Sequence, residues 1–262
     1  MESLKNMNIR FAPNTLYYGD CLDILRDFPS ECVDLICLDP PFNSNANYHT
    51  IFRGSGLSIK PQIKAFDDMW LWDSDSEQRV REIKNAIANP ASKVIAAFEM
   101  IMPQTPMLSY TSYMAQRLFE MYRVLKDTGS IYLHCDPTAS HYLKLVMDAV
   151  FGEHQFQNEY IWYYSGGGAS KKRWARKHDV LLFYAKGKIW TFNVDAVRTP
   201  HKWDNGQSRA DGSERDYQRG KIPDDVFQHH SVMPWGKENL GYPTQKPLVL
   251  KEDRSRSKRS KK

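Results

Sequence analysis

The sequence predicts an open α/β sheet, and three observations carry that reading. Strand-like apolar runs alternate with helix-periodic stretches through the first two thirds of the chain. Three of those runs, TLYYGD at 15–20, VDLICLD at 33–39 and SIYLHCD at 130–136, each end in an aspartate where the strand gives out. With 262 residues, 41% hydrophobic and 13% aromatic, the chain is long and apolar enough to bury one large core without a disulfide or metal staple.

The elements follow in order. Thr15 to Tyr18 reads as a short strand, and Leu22 to Phe28 is apolar-periodic. Val33 to Leu38 is the continuous apolar run of a strand covered on both faces, and it stops at Asp39-Pro40-Pro41-Phe42. Residues 43–65 lack periodicity and read as a long loop. Ser74 and Glu77 have capping-box spacing at the head of a helix to Asn89. Helices are also expected over 92–102 and over Pro106 to Leu125, the latter stopped by Lys126 to Gly129. Ser130 to Cys135 reads as a third buried strand. A helix follows with Leu143, Val146, Met147, Val150 and Phe151 on one face, ended by Gly152. Tyr160 to Tyr164, Val180 to Tyr184 and Ile189 to Phe192 read as strands, and 193–234 as polar and irregular.

Charge and cysteine usage exclude several classes. The net charge of +5 comes from the tail: residues 251–262 hold seven Lys/Arg and two acids, and the body carries 29 of each sign. A nucleic-acid surface therefore needs local clustering. One cluster exists between Lys171 and Lys188, with seven basic residues against Asp179 alone. Cys21, Cys32, Cys37 and Cys135 form no CxxC pair and no zinc-ligand spacing; Cys32 and Cys37 read as buried thiols in a reduced, cytoplasmic setting. The N-terminus has no apolar signal region. The longest apolar runs fall far short of the roughly 20 residues that span a bilayer.

The sharpest chemical signal is Asp39-Pro40-Pro41-Phe42. At average usage such a string arises by chance in about one chain of this length in three hundred. Two prolines fix the backbone and remove two N–H donors, so the loop offers a carboxylate and carbonyls as acceptors beside one aromatic face. That set suits a flat group bearing an exocyclic amine. Ligands of open α/β sheets bind beyond the carboxyl ends of the strands, so Asp20, Asp39 and Asp136 are expected to rim one pocket. The alternative for Asp136 is a plain turn and cap residue.

Four stretches resemble the permuted beta group of DNA amino-methyltransferases that use S-adenosylmethionine. They are Tyr18-Gly19-Asp20-Cys21-Leu22, Leu38-Asp39-Pro40-Pro41-Phe42-Asn43, Gly129-Ser130-Ile131-Tyr132-Leu133-His134 and Gly241-Tyr242-Pro243-Thr244-Gln245-Lys246-Pro247. The resemblance implies a Rossmann-like, mostly parallel methyltransferase sheet with circularly permuted motif order and an inserted target-recognition region. It implies methyl transfer to the amine of a flipped adenine in double-stranded DNA, adenine being favoured over cytosine by the aromatic after the prolines. Asp39 and Pro40 would accept from the amine, Pro41 would fix the loop and Phe42 would stack on the base. Asp20, Cys21, Thr244 and Lys246 would contact S-adenosylmethionine, and no metal is required. Lys171, Lys172, Arg173, Arg176 and Lys177, interleaved with Trp174, would contact the DNA backbone. Partner candidates beyond DNA are a restriction endonuclease subunit and a second copy of the chain.

The implied organisation is a catalytic core at 1–164, a target-recognition region at 165–235, a cofactor-closing segment at 236–250 and a basic tail at 251–262. The permuted order places a glycine-rich Phe-x-Gly-x-Gly strand some twenty to thirty residues after Pro243 to Pro247. The sequence instead continues for fifteen residues of Lys/Arg/Ser-rich tail. The expectation is therefore an incomplete sheet with a bare edge at Val33 to Leu38 and weak cofactor binding. Phe52-Arg53-Gly54-Ser55-Gly56 lacks the strand-then-helix setting of a cofactor loop and reads as plain loop. Two other readings stay open: an inactive DNA-binding remnant or subunit, and an enzyme acting on the cytosine amine, RNA or protein.

Overall fold

The computed structural model describes residues 11–42, 46–50, 63–68, 70–86, 88–164, 170–199, 220–233, 235–241 and 244–250. A five-stranded sheet organises them, in the order β1 (Val33–Leu38), β4 (Leu125–Cys135), β6 (His178–Ala185), β5 (Phe156–Tyr163) and β7 (Val226–Gln228). β1 runs parallel to β4 and β5 parallel to β7, while β6 is antiparallel to both its neighbours. Four strands thus share one direction and β6 alone is reversed. The sheet is open and mostly parallel, as the alternating pattern predicts, and β1 is an edge strand among the described residues.

The helices are α1 (Cys21–Asp27), α2 (Ser74–Asn85), α3 (Ser92–Ile101), α4 (Pro106–Val124) and α5 (Ser140–Phe151). Thr105 caps α4 by accepting from the Leu108 N–H, and Pro106 sits in the first turn, where its missing donor is harmless. One face of the sheet, with Ile131, Leu133 and Cys135 of β4 and Val180, Leu182 and Tyr184 of β6, packs with Leu108, Met114 and Leu118 of α4 and Leu143, Val146 and Met147 of α5. Each fully buried Leu or Val contributes about 1.5–3 kcal/mol, so this layer dominates stability. The alternate residues form the second face. There the Tyr132 and Phe183 rings stack at 4.3 Å, and Trp162, Leu181 and Leu250 make a smaller cluster. No helix among the described residues is long and apolar enough to cross a membrane.

Two arginines of α4 hold α1 from both ends. Arg117 donates to Asp20 at 2.5 Å, while Arg123 donates to the carbonyls of Phe28 and Leu25 at the other terminus. The latter pair satisfies carbonyls that a helix end leaves without partners.

Several expected elements differ. Thr15 to Tyr18 pairs with no strand among the described residues, and Leu16 and Tyr18 are almost wholly exposed, so their β-type pattern has nothing to bury against. Within the stretch expected to be loop, β2 (Ala46–Thr50) and β3 (Ile63–Asp68) form an antiparallel pair, and Phe52 to Gly56 lies outside the described residues. Asp73, not Ser74, caps α2, taking both the N–H and the hydroxyl of Ser76. That helix ends at Asn85, short of Asn89. Lys126 to Gly129 does not end α4 in a loop but belongs to β4. The register advances from Val33↔Leu125 to Leu35↔Ser130, so β4 carries extra residues there as a bulge. Gly129 permits it, since a Cβ would lie 2.8 Å from the Lys126 carbonyl.

Ile189 to Phe192 is irregular rather than a strand. Cys37 is exposed and Cys32 half-buried, because a strand at the edge covers them incompletely. β6, which follows position 165 in the chain, lies between β4 and β5 in the same sheet. The tail at 251–262 lies outside the described residues.

Candidate active site

Asp39 leaves the end of β1 next to the end of β4, because the register sets Leu38 beside Leu133. The neighbour this creates for Asp39 is His134. Its Nδ1 lies 3.2 Å from Asp39 Oδ1, in ion-pair range but without the alignment of a full hydrogen bond. The Lys246 ammonium lies 3.1 Å from the same oxygen. Among the described residues no partner is drawn to Oδ2. Burial works to raise the Asp39 pKa, but His134 and Lys246 outweigh it and hold the carboxyl below its ordinary value. Asp39 therefore stays an anionic acceptor at neutral pH.

Phe42 belongs to the same cluster. Its ring meets the His134 ring edge-on at 5.0 Å, and Lys246 Nζ stands 4.6 Å from its centroid. Lys246 thus contacts the Asp39–Phe42 loop, with Thr244 two residues before it; Tyr242 and Pro243 lie outside the described residues.

Behind Asp39 the polar contacts continue across the sheet. His134 is fully buried, and its Nε2 lies 3.1 Å from Asp179 Oδ2 on β6. The hydroxyl of Tyr164, just past β5, donates to Asp179 Oδ1 at 3.1 Å. Burial raises the Tyr164 pKa, and the charge of Asp179 and the hydrogen bond to it add to the rise. The sequence signal for this row was a histidine inside a continuous apolar strand, one register step from the Asp-Pro-Pro-Phe loop. Asp179 and Tyr164 carried none, being read as the lone acid of a basic stretch and as an aromatic of a strand.

The other two strand-end aspartates make contacts of a different kind. Asp136 Oδ1 accepts from the N–H groups of Thr138 and Ala139 ahead of α5, which is the plain capping role. Asp20 caps α1 through the Leu22 N–H and pairs with Arg117. Cys21, next to Asp20, lines a cleft of about 240 Å³ with Gly19, Ile24, Val33 and Ile36 among others. Burial raises the Cys21 thiol pKa, with Arg117 opposing it.

The basic cluster stands at the same end of the sheet. Lys171, Lys172, Arg173 and Arg176 are exposed and Lys177 is half-buried, while Trp174 is 95% exposed. The Tyr164 N–H donates to the Lys177 carbonyl at 2.9 Å and closes the neck of this loop. Arg176 Nη1 donates to Thr138 Oγ1 at 3.3 Å, which leans the loop on the turn after β4.

Residues 33–253 match the family described as DNA methylase, which groups N6- and N4-directed enzymes. Type II methyltransferase M.HpaI of Haemophilus parainfluenzae is 30% identical over 144 residues, 55% of this chain and 43% of that protein. The DNA adenine methyltransferase YhdJ of Escherichia coli K12 is 26% identical over 241 residues, 90% of this chain and 64% of that protein. The chain therefore spans less than two thirds of the length of either relative. Among solved structures, the cytosine-N4-specific PvuII DNA methyltransferase aligns with a TM-score of 0.45 and 14% identity, over 84% of this chain and 58% of that one.

Proposed function

Because the chain belongs to the DNA methylase family, we propose that it transfers a methyl group from S-adenosylmethionine to the exocyclic amine of a flipped adenine in double-stranded DNA. The observation that supports this most directly is the state of Asp39. Its carboxylate is anionic, tethered through Oδ1 by His134 and Lys246, and set beside two prolines and an aromatic ring. An amine N–H donated to that carboxylate and another to the Pro40 carbonyl draw the nitrogen lone pair out of conjugation with the ring. Pro41 keeps the loop rigid, and Phe42 stacks on the extruded base.

An apolar cleft lined by Gly19, Cys21, Ile24 and Ile36 supports a site for the flat purine part of the cofactor, with Asp20 the neighbour of Cys21 in sequence. When bound, the cofactor supplies a sulfonium-activated methyl group. This chain's own residues orient the acceptor and keep it in line for that group. Lys171, Lys172, Arg173, Arg176 and Lys177 hold phosphates, and their loop leans on the sheet end that carries Asp39. The reaction takes place in the cytoplasm, where a restriction endonuclease subunit or a second copy of the chain is the natural protein partner.

The test is incubation with unmethylated duplex DNA and tritium-labelled S-adenosylmethionine, then digestion to nucleosides and chromatography. Label on N6-methyladenine is expected, and Asp39→Ala should remove it while leaving DNA affinity within twofold. Label on N4-methylcytosine would move the acceptor to cytosine. No label with intact DNA binding would sink the enzymatic reading in favour of a DNA-binding subunit.

A further inference from the structure

Four adjacent strands each place one polar side chain on a single line: Asp39 after β1, His134 on β4, Asp179 on β6 and Tyr164 after β5. The registers explain the alignment. Leu38 pairs with Leu133, His134 pairs with Leu181, and Asp179 pairs with Trp162, so Asp39 follows β1 opposite His134, and Asp179 and Tyr164 each stand two positions from the residue opposite the preceding member. His134 is 0% exposed and Asp179 9% exposed, beneath Trp162 and Phe42.

Polar groups this deep are costly unless partnered, and an apolar side chain would serve packing better. The arrangement answers a need of Asp39. The last torsion of an aspartate is broad, so a half-exposed carboxylate turns freely unless something fixes its plane. His134 bears on Oδ1 from inside the protein at 3.2 Å, and Lys246 reaches the same oxygen at 3.1 Å. The His134 ring is fixed by Asp179, and Asp179 by the Tyr164 hydroxyl.

We propose that His134 and Asp179 are positioning residues for methyl transfer, holding the Asp39 carboxylate in the plane that receives the target amine. This rests on the methyltransferase reading above. Asp179 does not touch Asp39, so any effect of changing it on the reacting group travels through His134. An amide at 179 keeps its oxygen for Tyr164 and turns its NH₂ to Nε2, which replaces a carboxylate acceptor by a neutral donor against the ring that faces Asp39.

The experiment uses Asp179→Asn, His134→Gln and the double variant in the full chain. The readouts are single-turnover methyl transfer, DNA affinity and the ¹⁵N shifts of the His134 ring. Asp179→Asn should slow transfer about tenfold, as expected for weakening one charge-assisted hydrogen bond, with DNA affinity within twofold and a moved Nδ1 signal. In the His134→Gln background the same change should have no further effect on the rate. Independent structural damage would instead add. An unchanged rate in Asp179→Asn, or additive losses in the double variant, overturns the proposal. If the wild-type chain transfers no methyl group, the functional reading falls and the ring signals decide alone. A moved Nδ1 in Asp179→Asn then supports the row, and an unmoved one overturns it.

Discussion

Lys246→Met removes a charge and keeps the apolar stem, which isolates what the ammonium does. At 3.1 Å from Asp39 Oδ1, a charge pair is worth about 5 kcal/mol at an effective dielectric of about 20. The Asp39 side chain is 42% exposed, so solvent screening leaves about 1 kcal/mol of that. The contact with the Phe42 ring, 4.6 Å from its centroid, adds about 0.5–1 kcal/mol. The variant should therefore loosen the hold of 244–250 on the acceptor loop by about 1–2 kcal/mol, about 5- to 30-fold in the local opening equilibrium. Amide hydrogen exchange at Leu250 reads this. Its N–H donates to the Pro247 carbonyl, and its side chain is buried against Trp162 and Leu181. Protection should fall by that factor in low salt and by less in high salt, where the ion pair is already screened. Protection unchanged within twofold would refute the reasoning and leave Lys246 free for another ligand.

Three further outcomes are expected. The Asp39 pKa is held below 3.8 in the folded chain, so the stabilisation from its contacts is complete above that value and disappears as pH falls through the lower folded pKa. Carboxyl NMR should place its midpoint under 3.8, and a higher midpoint would mean that burial prevails over His134 and Lys246. Replacing two of Lys171, Lys172, Arg173 and Arg176 by alanine should weaken binding to all duplexes alike and lower the salt slope by about one unit per lost phosphate contact; a sequence-selective loss would assign them to base reading. Arg123→Ala should cost about 2 kcal/mol in urea unfolding, because the Phe28 and Leu25 carbonyls lose a charged donor. A loss under 0.5 kcal/mol would show that water replaces the guanidinium.

What the sequence made legible followed from local pattern. The apolar runs of β4 and β6 and the one-sided periodicity of α5 are strong because each element is buried as its pattern demands, whereas β1, read as covered on both faces, is an edge strand that is only partly buried. The acceptor loop was legible for a different reason, since Asp-Pro-Pro-Phe is chemically unusual at any position. The failures sit where the partner is distant in sequence. Thr15 to Tyr18 has β-type residues and no partner strand among the described residues. Lys126 to Gly129 has turn composition yet lies within β4, as the bulge between Leu125, paired with Val33, and Ser130, paired with Leu35, which local residues cannot reveal. The row behind Asp39 is the clearest case. His134 and Asp179 are 45 residues apart, and only the antiparallel register of β6 brings their side chains together.

The reversal of β6 also explains why the basic loop and the acceptor aspartate share one end of the sheet. β1, β4 and β5 all finish at the end where Asp39 emerges, and β6, running the other way, begins there. Any short connection from β5 to a paired, antiparallel β6 must turn at that end. The Tyr164 to Lys177 neck is that turn, closed by a backbone hydrogen bond of 2.9 Å. A parallel β6 would have needed a crossover to the far end before starting, and its connection would have carried the cations away from Asp39. One strand direction thus delivers both the buried carboxylate behind His134 and the cationic loop in front of it. The neighbouring residues His178 and Asp179 divide those tasks. His178 closes the ladder against Tyr163 at the base of the loop, and Asp179 turns inward to the ring that faces the acceptor.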